Sequence, residues 1–322
     1  MAERPHNFEH RPVMLDEVIE LLAAVPGGLL VDATLGGAGH ASALLDSRPD
    51  LVLLGLDQDD VAIEAAGAVL DRFGARATVR RARFDSIADV VADAVDATGH
   101  DRAVAVLFDL GVSSPQLDVG ERGFSYRNDG PLDMRMDRRR TLTADTVVNS
   151  YEVDDLRRVL ARFGEDRHAR RVAAAIVAAR PITTTGELAS IVRDAIPAPA
   201  RRRGGHPATR SFQAIRIEVN EELAILPDAI EQAISVLAPG GRCLALTYHS
   251  GEDRIVKQRF REAESGGCEC PVGLPCVCGA TPQVRLVRRG GFTPSPAELE
   301  ANPRAASARL RVAEKLDLEA AA

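Results

Sequence analysis

The run Ala103-Val-Ala-Val-Leu-Phe108 is apolar and rich in β-branched residues, and it ends abruptly in Asp109, with Gly111, Ser113, Ser114 and Pro115 close behind. That pattern predicts a buried strand breaking into a loop. It occurs twice more upstream, where Gly28-Leu-Leu-Val31 runs into Asp32 and Leu51-Val-Leu-Leu-Gly-Leu56 into Asp57. Helical spacing of apolar residues marks Met14 to Ala24, a segment ending near Ser47, Val61 to Phe73 and Ile87 to Ala97, and a short third strand is expected at Ala77 to Arg81. Strand and helix alternate, which predicts an α/β fold with a doubly wound parallel sheet. In such sheets ligands sit just outside the carboxyl ends of the strands, so Asp109 stands where chemistry is expected. The plainer alternative is that it caps backbone N–H groups in a turn.

The first strand runs into Leu35-Gly-Gly-Ala38-Gly39-His40. A glycine-rich turn between strand and helix lets backbone approach a ligand closely. Asp57 lies about 20 residues beyond it, at the end of the second strand, the placement of an acid that binds ribose hydroxyls. Loop and acid together point to a nucleoside-bearing cofactor. The loop does not follow G-x-G-x-x-G, which argues against a nicotinamide or flavin enzyme. Phe84, after the third strand, is placed either to pack on an adenine or to fill the core. A fifth strand, Arg242 to Tyr248, follows a long helix expected over Phe212 to Leu237 and a turn at Ala238 to Gly241, and it delivers His249 to the rim that carries Asp32, Asp57 and Asp109. A helix from Arg254 to Ala263 follows, and Gln283 to Val287 and Ala308 to Ala313 are candidates to complete the sheet.

From Arg122 to about Arg210 the pattern is helical, with segments at Asp154 to Phe163, Glu165 to Arg180 and Thr185 to Ile196. The expected organisation is a sheet domain of residues 1–120 and 211–322, with a helical insert at 121–210. Net charge is −7 overall, but residues 121–216 hold 19 Arg against 12 Asp and Glu, while the remainder holds 21 Lys and Arg against 35 acids. A basic segment in an acidic body suggests contact with a polyanion, and Arg201, Arg202 and Arg203 form its densest cluster. The bland reading is a solvated helical face. Four of the five cysteines lie in Cys268-Glu-Cys270 and Cys276-Val-Cys278. Four thiolates can hold zinc tetrahedrally, although the spacing within each pair is shorter than usual; the alternative is a loop of unliganded thiols. No apolar run approaches the roughly 18 residues of a membrane span. No signal-peptide core opens the chain, and a cytoplasmic protein is expected.

Taken together and in order, the motifs resemble those of the bacterial 16S rRNA cytosine-N4 methyltransferases, the RsmH (MraW) family, over nearly the whole chain. The matching stretches include Asp32-Ala-Thr-Leu-Gly-Gly-Ala-Gly-His40, Leu56-Asp57-Gln-Asp59, Asp109-Leu-Gly-Val-Ser-Ser-Pro-Gln116, Gly130-Pro-Leu-Asp-Met-Arg-Met-Asp137, His206-Pro-Ala-Thr-Arg-Ser-Phe-Gln-Ala-Ile-Arg216 and His249-Ser-Gly-Glu-Asp-Arg-Ile-Val-Lys257. The resemblance implies a class I (Rossmann-like) methyltransferase sheet using S-adenosylmethionine, interrupted by an all-helical substrate subdomain. It places cofactor contacts at Ala38, Gly39, His40, Asp57, Phe84, Asp109 and Gln116. The implied partner is 16S rRNA in the small ribosomal subunit or a late assembly intermediate, with no membrane. Two positions depart from the family pattern: Gly251 stands for a usual Leu and Tyr248 for a usual Phe.

The chemistry so implied makes Asp109 the expected catalytic residue, as an acceptor for the target amine together with the backbone carbonyls of Leu110 to Ser114, with His249 as a second candidate. The rival functions are a DNA amino-methyltransferase with the same sheet, a non-catalytic ribosome assembly factor and a nicotinamide oxidoreductase.

Overall fold

A computed structural model of the chain describes residues 11–164, 167–201, 206–271 and 277–318. They form two compact units, one of residues 1–111 with 225–322 and one of residues 112–224. These breaks fall at residues 111/112 and 224/225, where 120/121 and 210/211 were expected.

The first unit is built on seven strands: β1 (Gly28–Asp32), β2 (Leu51–Asp57), β3 (Ala77–Arg81), β4 (Ala103–Asp109), β5 (Leu237–Thr247), β6 (Val284–Leu286) and β7 (Arg309–Lys315). Their order across the sheet is β3-β2-β1-β4-β5-β7-β6. The first five are parallel, and β7 runs antiparallel to both β5 and β6. This is a doubly wound, Rossmann-like sheet, and its direction of winding reverses between β1 and β4. Such a reversal leaves a crevice at the carboxyl ends of the two strands. β1 is buried along its whole length and β4 up to Asp109, as expected of strands covered on both faces. The expected turn at 238–241 lies inside β5 as a bulge: Leu237 pairs with Ala103 and Arg242 with Ala105, so the residues between are pushed out around Gly240.

The second unit is helical: Ala144–Ser150, Val153–Gly164, Ala169–Ala178, Thr185–Ala195 and Thr209–Asn220. Its core collects Val147, Leu156, Leu160, Val172, Ile176, Leu188, Val192 and Ile215. Two helix starts are fixed by side chains. Thr143 accepts the Thr146 N–H, and Thr184 forms a reciprocal capping box with Glu187. The long helix expected over 212–237 is two helices, Thr209–Asn220 and Glu222–Val236, broken at Glu221 by a left-handed φ of 57°. Across the break, Arg216 makes a two-pronged ion pair with Glu222 at 2.8 Å on each arm. No helix among the described residues is long and apolar enough to cross a membrane.

Candidate functional site

Three carboxylates stand at the carboxyl ends of β1, β2 and β4. Asp32 is 2% exposed. One of its oxygens accepts the Thr34 N–H at 3.2 Å, but burial dominates and pushes its pKa up from 3.8 to about 7. Asp57 is positioned by the glycine loop itself. Its Oδ2 accepts the Gly36 N–H at 2.8 Å and its Oδ1 the Asp59 N–H at 2.9 Å. Burial raises its pKa despite these donors. A carboxylate has about four acceptor sites, so these backbone donors leave Asp57 with capacity for a hydroxyl donor.

The loop that follows β1 is turned by Gly36 at φ 52° and Ala38 at φ 60°, and the helix Gly39–Ser47 begins with no side-chain cap. Gly39 has a steric reason to be glycine, because a Cβ there would lie 2.6 Å from the Pro12 ring. The next residue, His40, is 5% exposed. Its Nε2 is 3.0 Å from the Val13 carbonyl and its Nδ1 is 3.4 Å from Asp109 Oδ2. An imidazole facing acceptors on both nitrogens satisfies both only as the imidazolium. Burial opposes that charge, but the bond and charge of Asp109 and the charge of Asp32 outweigh it and raise the His40 pKa.

Asp109 is held from three directions. Its backbone N–H donates to Thr34 Oγ1 at 2.6 Å, His40 faces Oδ2, and the Tyr248 hydroxyl donates to Oδ1 at 2.6 Å. Tyr248 is held in turn by its own N–H, which donates to Glu252 Oε2 at 2.8 Å. Burial first, then the Asp109 charge, pushes the Tyr248 pKa far up, so this phenol is a donor at any working pH. Asp109 itself remains partly open, with its side chain 29% exposed.

The other expected residues have different surroundings. Phe84 is buried, with its ring edge-on to Phe108 at 6.1 Å. Gln116 belongs to the helical unit, where its Oε1 accepts the Ser113 N–H at 3.0 Å. His249 caps the helix Ser250–Ser265: its Nδ1 accepts the N–H groups of Gly251 and Glu252, and Glu252 returns a bond to the His249 N–H. Its Nε2 lies 3.0 Å from Glu252 Oε1. Arg201 donates to the carbonyls of Ile196 and Asp194 and lies 3.6 Å from the Asp194 carboxylate. Arg202, Arg203 and Cys276 lie outside the described residues. Thr34 and Tyr248 were not expected at the site. Thr34 belongs to the matched Asp32–His40 stretch, and Tyr248 directly precedes His249.

The chain matches the MraW methylase family over residues 7–316. A ribosomal RNA small subunit methyltransferase H from Symbiobacterium thermophilum is 52% identical over 314 residues, covering 96% of this chain and 97% of its own. One of the same name from Thermobifida fusca is 50% identical over 313 residues, covering 95% and 93%. Among solved structures, an rRNA methylase from Streptococcus thermophilus aligns at a TM-score of 0.42 with 12% identity, covering 98% of this chain and 99% of its own. The sequence match spans strands, rim and helical unit alike, and the chain belongs to the MraW methylase family.

Proposed function

We propose that this protein methylates the N4 amine of a cytidine in the decoding (P-site) region of 16S rRNA, with S-adenosylmethionine as donor, in the small subunit or a late assembly intermediate in the cytoplasm. The observation that carries this reading is the Asp109 carboxylate, fixed by donors on both oxygens yet partly exposed at the end of β4.

The rim fits the donor molecule by its chemistry. Asp57 retains acceptor capacity for a ribose hydroxyl, and the Gly36–Gly39 loop brings backbone within reach of a ligand. Asp32, Asp57 and Asp109 have no Lys or Arg ion pair among the described residues, and the cationic group that faces Asp109 is the His40 imidazole. Ala38, Gly39, His40 and Asp57 would hold the molecule. Phe84 and Gln116 are assigned to it through the family resemblance. When bound, S-adenosylmethionine supplies a methyl group activated by a sulfonium.

The cytosine amine is a poor nucleophile because its lone pair is delocalised into the ring. Asp109 accepts a hydrogen bond from the amine N–H and draws off positive charge as the nitrogen is alkylated. Holding the amine in line with the methyl–sulfur bond that breaks as the carbon–nitrogen bond forms would supply much of the remaining acceleration. His40 and Tyr248 keep the carboxylate from turning away, and His249 enters as the cap that holds the Tyr248 backbone through Glu252. The target base leaves its stack to reach such a rim. The Arg-rich helical unit is assigned to rRNA phosphates, which position an RNA without reading its sequence.

The test is mass mapping of 16S rRNA after incubation of unmodified small subunits with purified protein and S-adenosylmethionine. One added methyl on a decoding-region cytidine is expected. Transfer to DNA alone, or binding of the methyl donor without transfer to any assembly intermediate, would replace this reading with a DNA amino-methyltransferase or an assembly factor. Replacing Arg201, Arg202 and Arg203 together with Ala is expected to weaken RNA binding and flatten its salt dependence. Unchanged affinity and slope would remove that cluster from the interface.

A further inference from the structure

Cys268, Cys270 and Cys278 lie in a segment that leaves the helix Ser250–Ser265 and returns to β6. The helix stops at two left-handed glycines, Gly266 and Gly267. There the Gly267 N–H closes on the Glu262 carbonyl at 3.1 Å and the Cys268 N–H on that of Ser265 at 3.2 Å. The returning arm presses on the same turn: a Cβ on Gly266 would collide with the Thr281 backbone. The Gln283 N–H donates to the Ala263 carbonyl at 2.8 Å. Backbone therefore closes the base of the excursion. Beyond the base there is no apolar core, since no described residue from 261 to 283 is buried. Even so, three sulfurs converge, all within 4.8 Å of one another, with Cys268 and Cys278 at 3.7 Å.

We propose that Cys268, Cys270 and Cys278 are three ligands of one tetrahedral, thiolate-preferring metal ion of the zinc class, which clips this excursion shut. Zinc–sulfur bonds of about 2.3 Å at tetrahedral angles set ligand sulfurs about 3.8 Å apart. The Cys268–Cys278 separation matches that edge. A disulfide, at about 2.05 Å, would join two sulfurs and give the third no reason to be there. Thiolates also select a soft ion over magnesium or calcium, which prefer oxygen. Cys276 completes the sequence cluster, but the proposal does not rest on it. The ion would act as a structural cross-link where the segment lacks a core, independently of the methyl-transfer reading.

The experiment is elemental analysis of the full chain purified without chelator, followed by cobalt(II) exchange. About one zinc per chain is expected, released when a mercurial blocks the thiols, and the cobalt form should show intense tetrahedral bands with a sulfur-to-metal charge-transfer absorption. The double variant Cys268→Ser/Cys278→Ser should lose the ion. Should it fail to fold, Cys270→His supplies a nitrogen ligand instead and should retain the ion with a shifted cobalt spectrum. Zinc below about 0.2 per chain after refilling under reducing conditions, a cobalt spectrum without thiolate absorption, or an unshifted spectrum in Cys270→His would overturn the site.

Discussion

Asn220 ends a helix in the helical unit, and its side chain is fully engaged by its surroundings. Its Oδ1 accepts the Met136 N–H at 2.8 Å, and its amide donates to the carbonyls of Met134 at 2.8 Å and Arg216 at 2.9 Å. Asp109 ends a strand in the sheet unit, and its carboxylate is gripped but not saturated. The contrast extends beyond these two residues. In the helical unit Arg135 pairs with Asp133 while donating to the carbonyls of Arg138 and Arg140, and Arg216 pairs with Glu222. At the sheet rim, Asp32 is buried and Asp57 half-buried, with backbone donors and no guanidinium or ammonium in an ion pair among the described residues. Polar groups that build a fold satisfy one another, because a buried polar atom left unpaired costs more than its bond returns. Burying Asp32 costs stability even with the His40 charge nearby, and titratable groups perturbed in this way cluster at functional sites.

The two regions should differ most at Asp109. Asp109→Asn keeps the shape but replaces one acceptor oxygen with a donor that faces Tyr248 or His40. We expect methyl transfer at saturating substrates to fall on the order of 100- to 1,000-fold, with the thermal midpoint little changed. Wild-type-like turnover would show that rim carboxylates are as structural as Asn220.

Asp32 tests the stability side. Its folded pKa is raised from 3.8 to about 7, so relative to the unfolded chain its contribution is most favourable below pH 3.8 and is lost as pH rises through about 7. Asp32→Asn removes that loss. Between pH 5 and pH 8 the variant should gain about 3 kcal/mol on the wild type in urea unfolding. Parallel stability profiles for the two proteins would mean that Asp32 is not a strained group.

Much of this contrast was legible in the sequence. An apolar run ending in an acid marks both the strand and the rim, because burial on both faces demands the run and the strand end is the first place a charge is tolerated. Asp57 and the glycine loop followed from their spacing. The break at Glu221 did not, since glutamate favours helix, and the neighbouring Asn220 is tied to Met134 and Met136 by tertiary contacts that local sequence does not announce. His249 was read as a rim residue, and its local chemistry is that of a helix cap, with Glu252 three residues on completing the box that Ser or Thr usually opens. The Tyr248 bond was hidden for another reason. β5 places Leu246 opposite Asp109, so Tyr248, two residues on, shares its face, but only once β4 and β5 are known to be neighbours.

In the helical unit, Asn220→Ala removes three hydrogen bonds at a fully buried position and leaves the Met136 N–H and the Met134 carbonyl without their partner. We expect a loss of about 2 kcal/mol, read by urea unfolding followed through Tyr126 and Tyr151 emission. A variant as stable as the wild type would show that the loop 122–140 does not depend on this anchor.

The smallest effect is expected where the two behaviours meet. Tyr248 is a partly buried side chain that satisfies its hydroxyl on the one rim carboxylate assigned to chemistry. Tyr248→Phe removes that donor and nothing else, and the ring keeps its packing. His40 and the Thr34 contact still orient Asp109, so the loss should be partial: turnover down about fivefold, equivalent to about 1 kcal/mol, with the KM for the methyl donor unchanged. Equal changes in turnover and KM would place the hydroxyl in donor binding. An unchanged rate would mean that His40 alone suffices to hold the carboxylate and that Tyr248 contributes packing only.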